Sequence, residues 1–150
     1  MAEGLNADRP QKLSIVVFSG AFDKVHYALV MASAAAATDT PVTLFFTMEG
    51  ARALIQADET TPHPWRTLPT EVPGRSGGEL DDAFKTRNIA DFETLLFACR
   101  ELGVRFMVCE MGLKALDIER QNLRDDLTYE IGGVVTFLND AHQDGAVIFI

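Results

Sequence analysis

The sequence predicts an α/β fold: a three-layer α/β/α arrangement around a mainly parallel sheet of about five strands. Three observations carry this. Apolar, β-branched runs alternate with helix-like stretches, the order that builds parallel strands joined by crossover helices. The runs are apolar at nearly every position, as strands covered on both faces are. The length, 150 residues, suits one domain with one core.

The elements follow in order. Residues 1–11 read as a flexible lead-in, and 12–150 as the single domain. Lys12-Leu13-Ser14-Ile15-Val16-Val17-Phe18-Ser19-Gly20 is a first buried strand closed by glycine. Asp23 is placed to cap a helix over about 24–38, whose many alanines permit close packing. Pro41 precedes a second strand, Val42-Thr43-Leu44-Phe45-Phe46-Thr47, and 50–56 reads as a short helix. From about 57 to 85 the chain carries Pro62, Pro64, Pro69, Pro73, Gly74, Gly77 and Gly78. That composition predicts a long irregular loop. Trp65, the single tryptophan, is expected to anchor it on the body. A helix over about 90–102 presents Phe92, Leu95, Leu96, Cys99 and Leu102 on one face, and Gly103 ends it. The third strand ends on Cys109. A short polar helical piece at 119–126, a short strand at 127–130, a helix at 134–142 opened by Gly132-Gly133, and the last strand Ala146-Val147-Ile148-Phe149-Ile150 complete the chain. An apolar last strand must be buried in the sheet or against another subunit.

The totals exclude several functions. The net charge is −9, and the 13 Lys and Arg residues are scattered, so nucleic-acid binding is not expected. The longest small and apolar stretch, 28–37, is too short to cross a bilayer, and the first ten residues lack the pattern of a secretory signal. Two cysteines, Cys99 and Cys109, are too few for a disulfide scaffold, which suits a reducing, cytoplasmic setting. No His/Cys/carboxylate spacing resembles a metal site, and neither G-x-G-x-x-G nor G-x-x-x-x-G-K-[ST] occurs.

Cys109 is the candidate functional residue. It closes a strand and precedes a turn, Glu110-Met111-Gly112-Leu113, at the carboxyl edge where open sheets bind ligands. A following helix start favours thiolate, and Glu110 opposes it if it points the same way. The residues equally allow a small buried side chain at a strand end. Cys99, on the apolar face of its helix, reads as core, with a resolving thiol for Cys109 as the second reading. Ser19 and Gly20, after the first strand, and Gly132 and Gly133, at a later helix start, are candidate amide donors to a substrate or anion near Cys109. His26, in the first turns of its helix, is open either to the same rim or to solvent; His63 lies in the loop and His142 near a helix end.

The opening strand with Asp23-Lys24, the second strand followed by Gly50, the segment Glu101-Leu102-Gly103-Val104-Arg105-Phe106-Met107-Val108-Cys109-Glu110-Met111, and Gly132-Gly133-Val134-Val135-Thr136-Phe137-Leu138 together resemble DsrE/DsrF-like proteins. The resemblance covers about 12–56 and 88–150. It implies a homo-oligomer, often a trimer or hexamer. It also implies sulfur relay: Cys109 would accept sulfane sulfur as a persulfide and pass it to a partner's thiol, with no bound cofactor. The turn after the cysteine and the His63-Pro64-Trp65 loop depart from that family's pattern. Two other readings stand beside it: a non-catalytic oligomeric binding or scaffold module of the same fold, and a small-molecule or nucleotide-binding domain using the Ser19-Gly20 turn.

Overall fold

The computed structural model describes residues 8–150. Five strands form one sheet: β1 (Leu13–Val17), β2 (Val42–Phe46), β3 (Arg105–Cys109), β4 (Tyr129–Gly132) and β5 (Ala146–Phe149). Their order is β4-β3-β2-β1-β5, and every pairing is parallel. Five α-helices surround it: α1 (Phe22–Ala37), α2 (Gly77–Thr86), α3 (Phe92–Glu101), α4 (Glu110–Ala115) and α5 (Val134–Asp140). Short 3-10 turns lie at Met48–Leu54, Pro64–Thr67 and Arg120–Asn122. The expected three-layer α/β/α architecture is present.

The strand order decides how the two faces are covered. From β1 to β4 each connection moves one strand toward the same edge, and right-handed crossovers place all three connections on one face. The core packs there, with Ile15, Val17, Leu44, Phe46, Phe106 and Val108 meeting Phe22, Val25 and Leu29 of α1 and Phe92, Leu96 and Cys99 of α3. The connection from β4 returns to the far edge, so α5 alone crosses the opposite face. Beneath it lies a second, smaller cluster of Phe45, Met107, Cys109 and Phe137. Beyond α5, on edge strand β5, Val147 and Phe149 remain largely exposed. These two face the same way as Ser14 and Val16, their register partners.

Several expected boundaries shift. Asp23 does not cap α1. The N-cap is Ala21, without a side-chain bond, and the Asp23 carboxylate instead accepts from the Glu71 amide at 3.1 Å. The 57–85 stretch is not irregular throughout, because its last part is α2. Ser76 caps that helix by accepting from the Glu79 amide, and Gly77 is glycine because a Cβ there would sit 2.9 Å from the Phe22 Cβ. Gly77 and Gly78 mark close packing, and Gly74, at φ +76° with open space around it, marks a turn. The 119–126 piece shrinks to a 3-10 turn at 120–122, and β4 lies two residues later than expected.

Trp65 anchors the loop as expected. It stacks on Phe92 at 4.5 Å and on Phe22 at 5.5 Å between ring centroids, and its Nε1 donates to Glu93 at 2.8 Å. Arg124 grips both Glu93 oxygens, at 2.7 and 2.8 Å. Burial pushes the Glu93 carboxyl up, but the bonds from Arg124 and Trp65 outweigh it and hold it below the usual range. Of the expected lead-in, residues 1–7 lie outside the described residues. Arg9 and Gln11 bond to the body through Thr40 and Asp144.

Candidate functional site

Cys109 stands where the sequence places it, at the end of β3 and the N-cap of α4 (φ −75°, ψ 121°). Along β3 the side chains alternate, so Arg105, Met107 and Cys109 share the face that α5 covers. Cys109 is 1 % exposed. Its register partner across β3–β4 is Gly132. A Cβ on Gly132 would lie 3.3 Å from Thr136 of α5, so the helix sits close over this end of the sheet. Phe137, the only buried residue of α5, stacks on Phe45 at 4.8 Å and completes the apolar cluster around Cys109.

Glu110 does not face the thiol. Its side chain is largely exposed and pairs with Lys114 at 3.2 Å, one turn along α4. Gly112 lets α4 lie against the 48–54 turn, since a Cβ there would be 2.6 Å from the Met48 amide nitrogen.

The structure brings Gly132 to Cys109 and places Gly133 next in the chain, as the N-cap of α5. It does not bring Ser19 and Gly20 there. They follow β1, two strands away from β3. The Ser19 amide donates to the Ile150 carbonyl at 3.1 Å, and its Oγ accepts from the Ala21 amide. Gly20 is closed off by Glu49, whose Cβ would be 2.9 Å from a side chain at that position.

The remaining candidates are core or surface. His26 is not at the rim. It is buried against Phe22 and Phe84, with Nε2 2.8 Å from the Ala90 carbonyl oxygen. His63 lies half exposed, 3.6 Å from Glu93. Cys99 is fully buried, its Sγ 3.7 Å from the Leu29 carbonyl, and burial pushes its thiol up to about 12. Both cysteines are free. Among the described residues no cluster of three His, Cys, Asp or Glu side chains is set to hold a metal, and no helix is long and apolar enough to cross a membrane.

A polar cluster on the Cys109 face escaped the sequence reading. Asp140, the last residue of α5, accepts from Thr43 Oγ1 at 2.6 Å and pairs with Lys12 at 3.2 Å and with Arg105. Arg105 also clasps Glu130 through two bonds, at 2.8 and 2.7 Å. Burial pushes the Asp140 carboxyl up, but the bonds from Thr43 and Lys12 hold it below its ordinary range. The signal was present: Ser14, Thr43 and Arg105 are polar residues in apolar strands, and the register aligns them in one row. What the strands alone did not carry was their partner, Asp140, 35 residues or more away.

Comparison with known proteins adds the following. The model of the DsrE/DsrF/DrsH-like family matches residues 9–71 and 69–149. The uncharacterized protein YrkE of Bacillus subtilis (strain 168) is 27 % identical, with 95 % of this chain and 99 % of the relative covered. The sulfur carrier protein DsrE2 of Allochromatium vinosum is 25 % identical over 93 % of this chain and 98 % of its own. The crystal structure of the ychN protein from E. coli shares the fold, with a TM-score of 0.54 at 15 % identity, covering 93 % of this chain and 99 % of that one.

Proposed function

The chain belongs to the DsrE/DsrF/DrsH-like family, and from that premise we propose that it works in sulfur relay, with Cys109 carrying sulfane sulfur as a persulfide. The observation that carries this is the position of Cys109 at the carboxyl end of β3, in a chain similar along its length to a protein named a sulfur carrier. The Cys109 thiolate attacks the outer sulfur of a donor persulfide. A bond forms from Cys109 Sγ to that sulfur, the donor's S–S bond breaks, and the donor leaves as a thiol. An acceptor thiolate then attacks the same outer sulfur and releases Cys109 as a thiol, so no external oxidant is consumed. Gly132 sets bare backbone beside Cys109, and Thr136 of α5 lies over it, so an added sulfur needs that helix to move. Donor and acceptor are proteins with reactive thiols, the setting is the reducing cytoplasm, and no cofactor enters.

The working form is a homo-oligomer, a trimer or hexamer. In support, Val147 and Phe149 of β5 and Phe18, whose ring lies 5.1 Å from that of Phe149, leave an apolar face open in a single chain.

One observation favours the non-catalytic reading instead: Cys109 is 1 % exposed. Mass spectrometry of the whole protein after exposure to polysulfide decides between them. Sulfur relay predicts a +32 Da adduct, by the mass of one sulfur atom, that is lost in Cys109→Ser and reversed by dithiothreitol. No adduct, or one that survives Cys109→Ser, favours the scaffold.

A further inference from the structure

We propose that α5 is a lid over the Cys109 thiol, latched at its carboxyl-terminal end by Asp140. The idea deepens the sulfur-relay reading and rests on it for its purpose, but the opening itself is a property of the fold.

The covering helix is weakly held. It has seven residues, and a helix so short has little stability of its own. Its N-cap, Gly133, makes no side-chain bond, and space is open around that glycine. Val134, Val135 and Leu138 turn outward and are more than half exposed. Phe137 is the single buried side chain. At the other end Ala141 leaves the helix in an extended conformation (φ −70°, ψ 133°), and the turn that follows closes from the Gly145 amide to the His142 carbonyl at 2.9 Å.

Against this stands one concentrated attachment. The Asp140 carboxylate is nearly buried and is gripped from β1's flank by Lys12, from β2 by Thr43 and from β3 by Arg105. Charge-assisted bonds of this kind are the strong ones. Releasing them, with Phe137 leaving its stack on Phe45, uncovers the cluster that contains Cys109. The rest of the sheet stays intact, since the strands pair with one another and the other face is packed independently. Regions with few buried contacts open locally, at a cost well below global unfolding. The arrangement covers a buried thiol with a helix held by one aromatic side chain and, at the opposite end of the strands from Cys109, by one carboxylate.

Native-state thiol labelling of the full chain tests this. The protein is exposed to N-ethylmaleimide at increasing, sub-denaturing urea, and mass spectrometry reads Cys109 and Cys99 separately. Cys99 is the internal reference, because it lies in the main core between α1 and α3. A lid predicts Cys109 labelling about tenfold or more faster than Cys99, at a rate nearly flat in low urea, while Cys99 follows the urea dependence of global unfolding. Asp140→Asn should raise the Cys109 rate about tenfold and the Cys99 rate by less, in line with loss of a charged, hydrogen-bonded contact. Thr43→Val removes one bond and should give a smaller rise, about threefold. It decides the matter if Asp140→Asn does not fold. A common, urea-dependent rate for both cysteines, or variants that change both rates by one factor, overturns the lid. Fast, urea-independent labelling of Cys109 without any +32 Da adduct supports the lid and removes the sulfur reading.

Discussion

Asp81 is a buried carboxylate with only half its bonding satisfied. It is 1 % exposed, and Oδ1 accepts from the Phe92 amide at 2.8 Å, closing the start of α3. Oδ2 has no hydrogen-bond partner, and the Lys85 ammonium stands 3.8 Å off. Burial pushes this carboxyl above its ordinary value of 3.8, with Asp91 adding to the shift, and the Phe92 amide, Lys85 and His26 opposing it. The folded state therefore favours the protonated form. Its contribution to stability is complete below pH 3.8 and is lost as pH rises through the folded-state value. Asp81→Asn keeps the Oδ1 acceptor without the charge. Urea midpoints should show the variant more stable than the wild type at pH 7, with the gain vanishing toward pH 3.5. A variant no more stable at pH 7 would mean that Lys85 and His26 outweigh burial. At this scale the sequence placed Cys109 at its strand end and Cys99 in the core. It left open whether Cys109 was exposed, because what covers a strand end depends on a helix arriving from elsewhere in the chain.

Helix α2 shows where element reading failed and why. Prolines and glycines from 62 to 78 signalled an irregular loop, yet Gly77 and Gly78 open a helix. Gly77 is needed for contact with Phe22 and the Trp65 carbonyl, a tertiary requirement that local composition cannot distinguish from a turn. The legible clue was Ser76 with Glu79 three residues on, a helix-start pattern. Ser76→Ala should cost about 1 kcal/mol by chemical denaturation, the usual value for losing an N-cap. An unchanged midpoint would show that packing against Phe22 and Trp65 alone holds the helix start. The strands and the longer helices were read correctly in type and order, because their apolar runs and periodic faces are long. The short pieces fared worse: the turn expected at 110–113 is the helix α4, and the helical piece at 119–126 is a 3-10 turn ending four residues early. The ends of the longer elements moved by one to three residues, as at α1, where Ala21 rather than Asp23 forms the cap.

For the whole molecule, strand order governs everything on the Cys109 side. One face receives three connections and the other a single short helix, so the second face is only half covered. Val147 and Phe149 of β5 lie on the uncovered half. Phe149→Glu places a charge there without touching the main core. It should shift the protein from oligomer to monomer by light scattering, while circular dichroism stays unchanged. A monomeric wild type, or an oligomer that survives the change, would remove this face from assembly. The parallel sheet and its apolar last strand were legible in the sequence, whereas the strand order, and with it the uneven cover, was not, since apolar strands carry no label for their neighbours. The clamp around Trp65 has a practical consequence as well. The single indole is stacked between Phe22 and Phe92 on the opposite side of the sheet from α5. Intrinsic fluorescence is therefore an optical gauge of the main core alone, and it stays dark to whatever happens over Cys109.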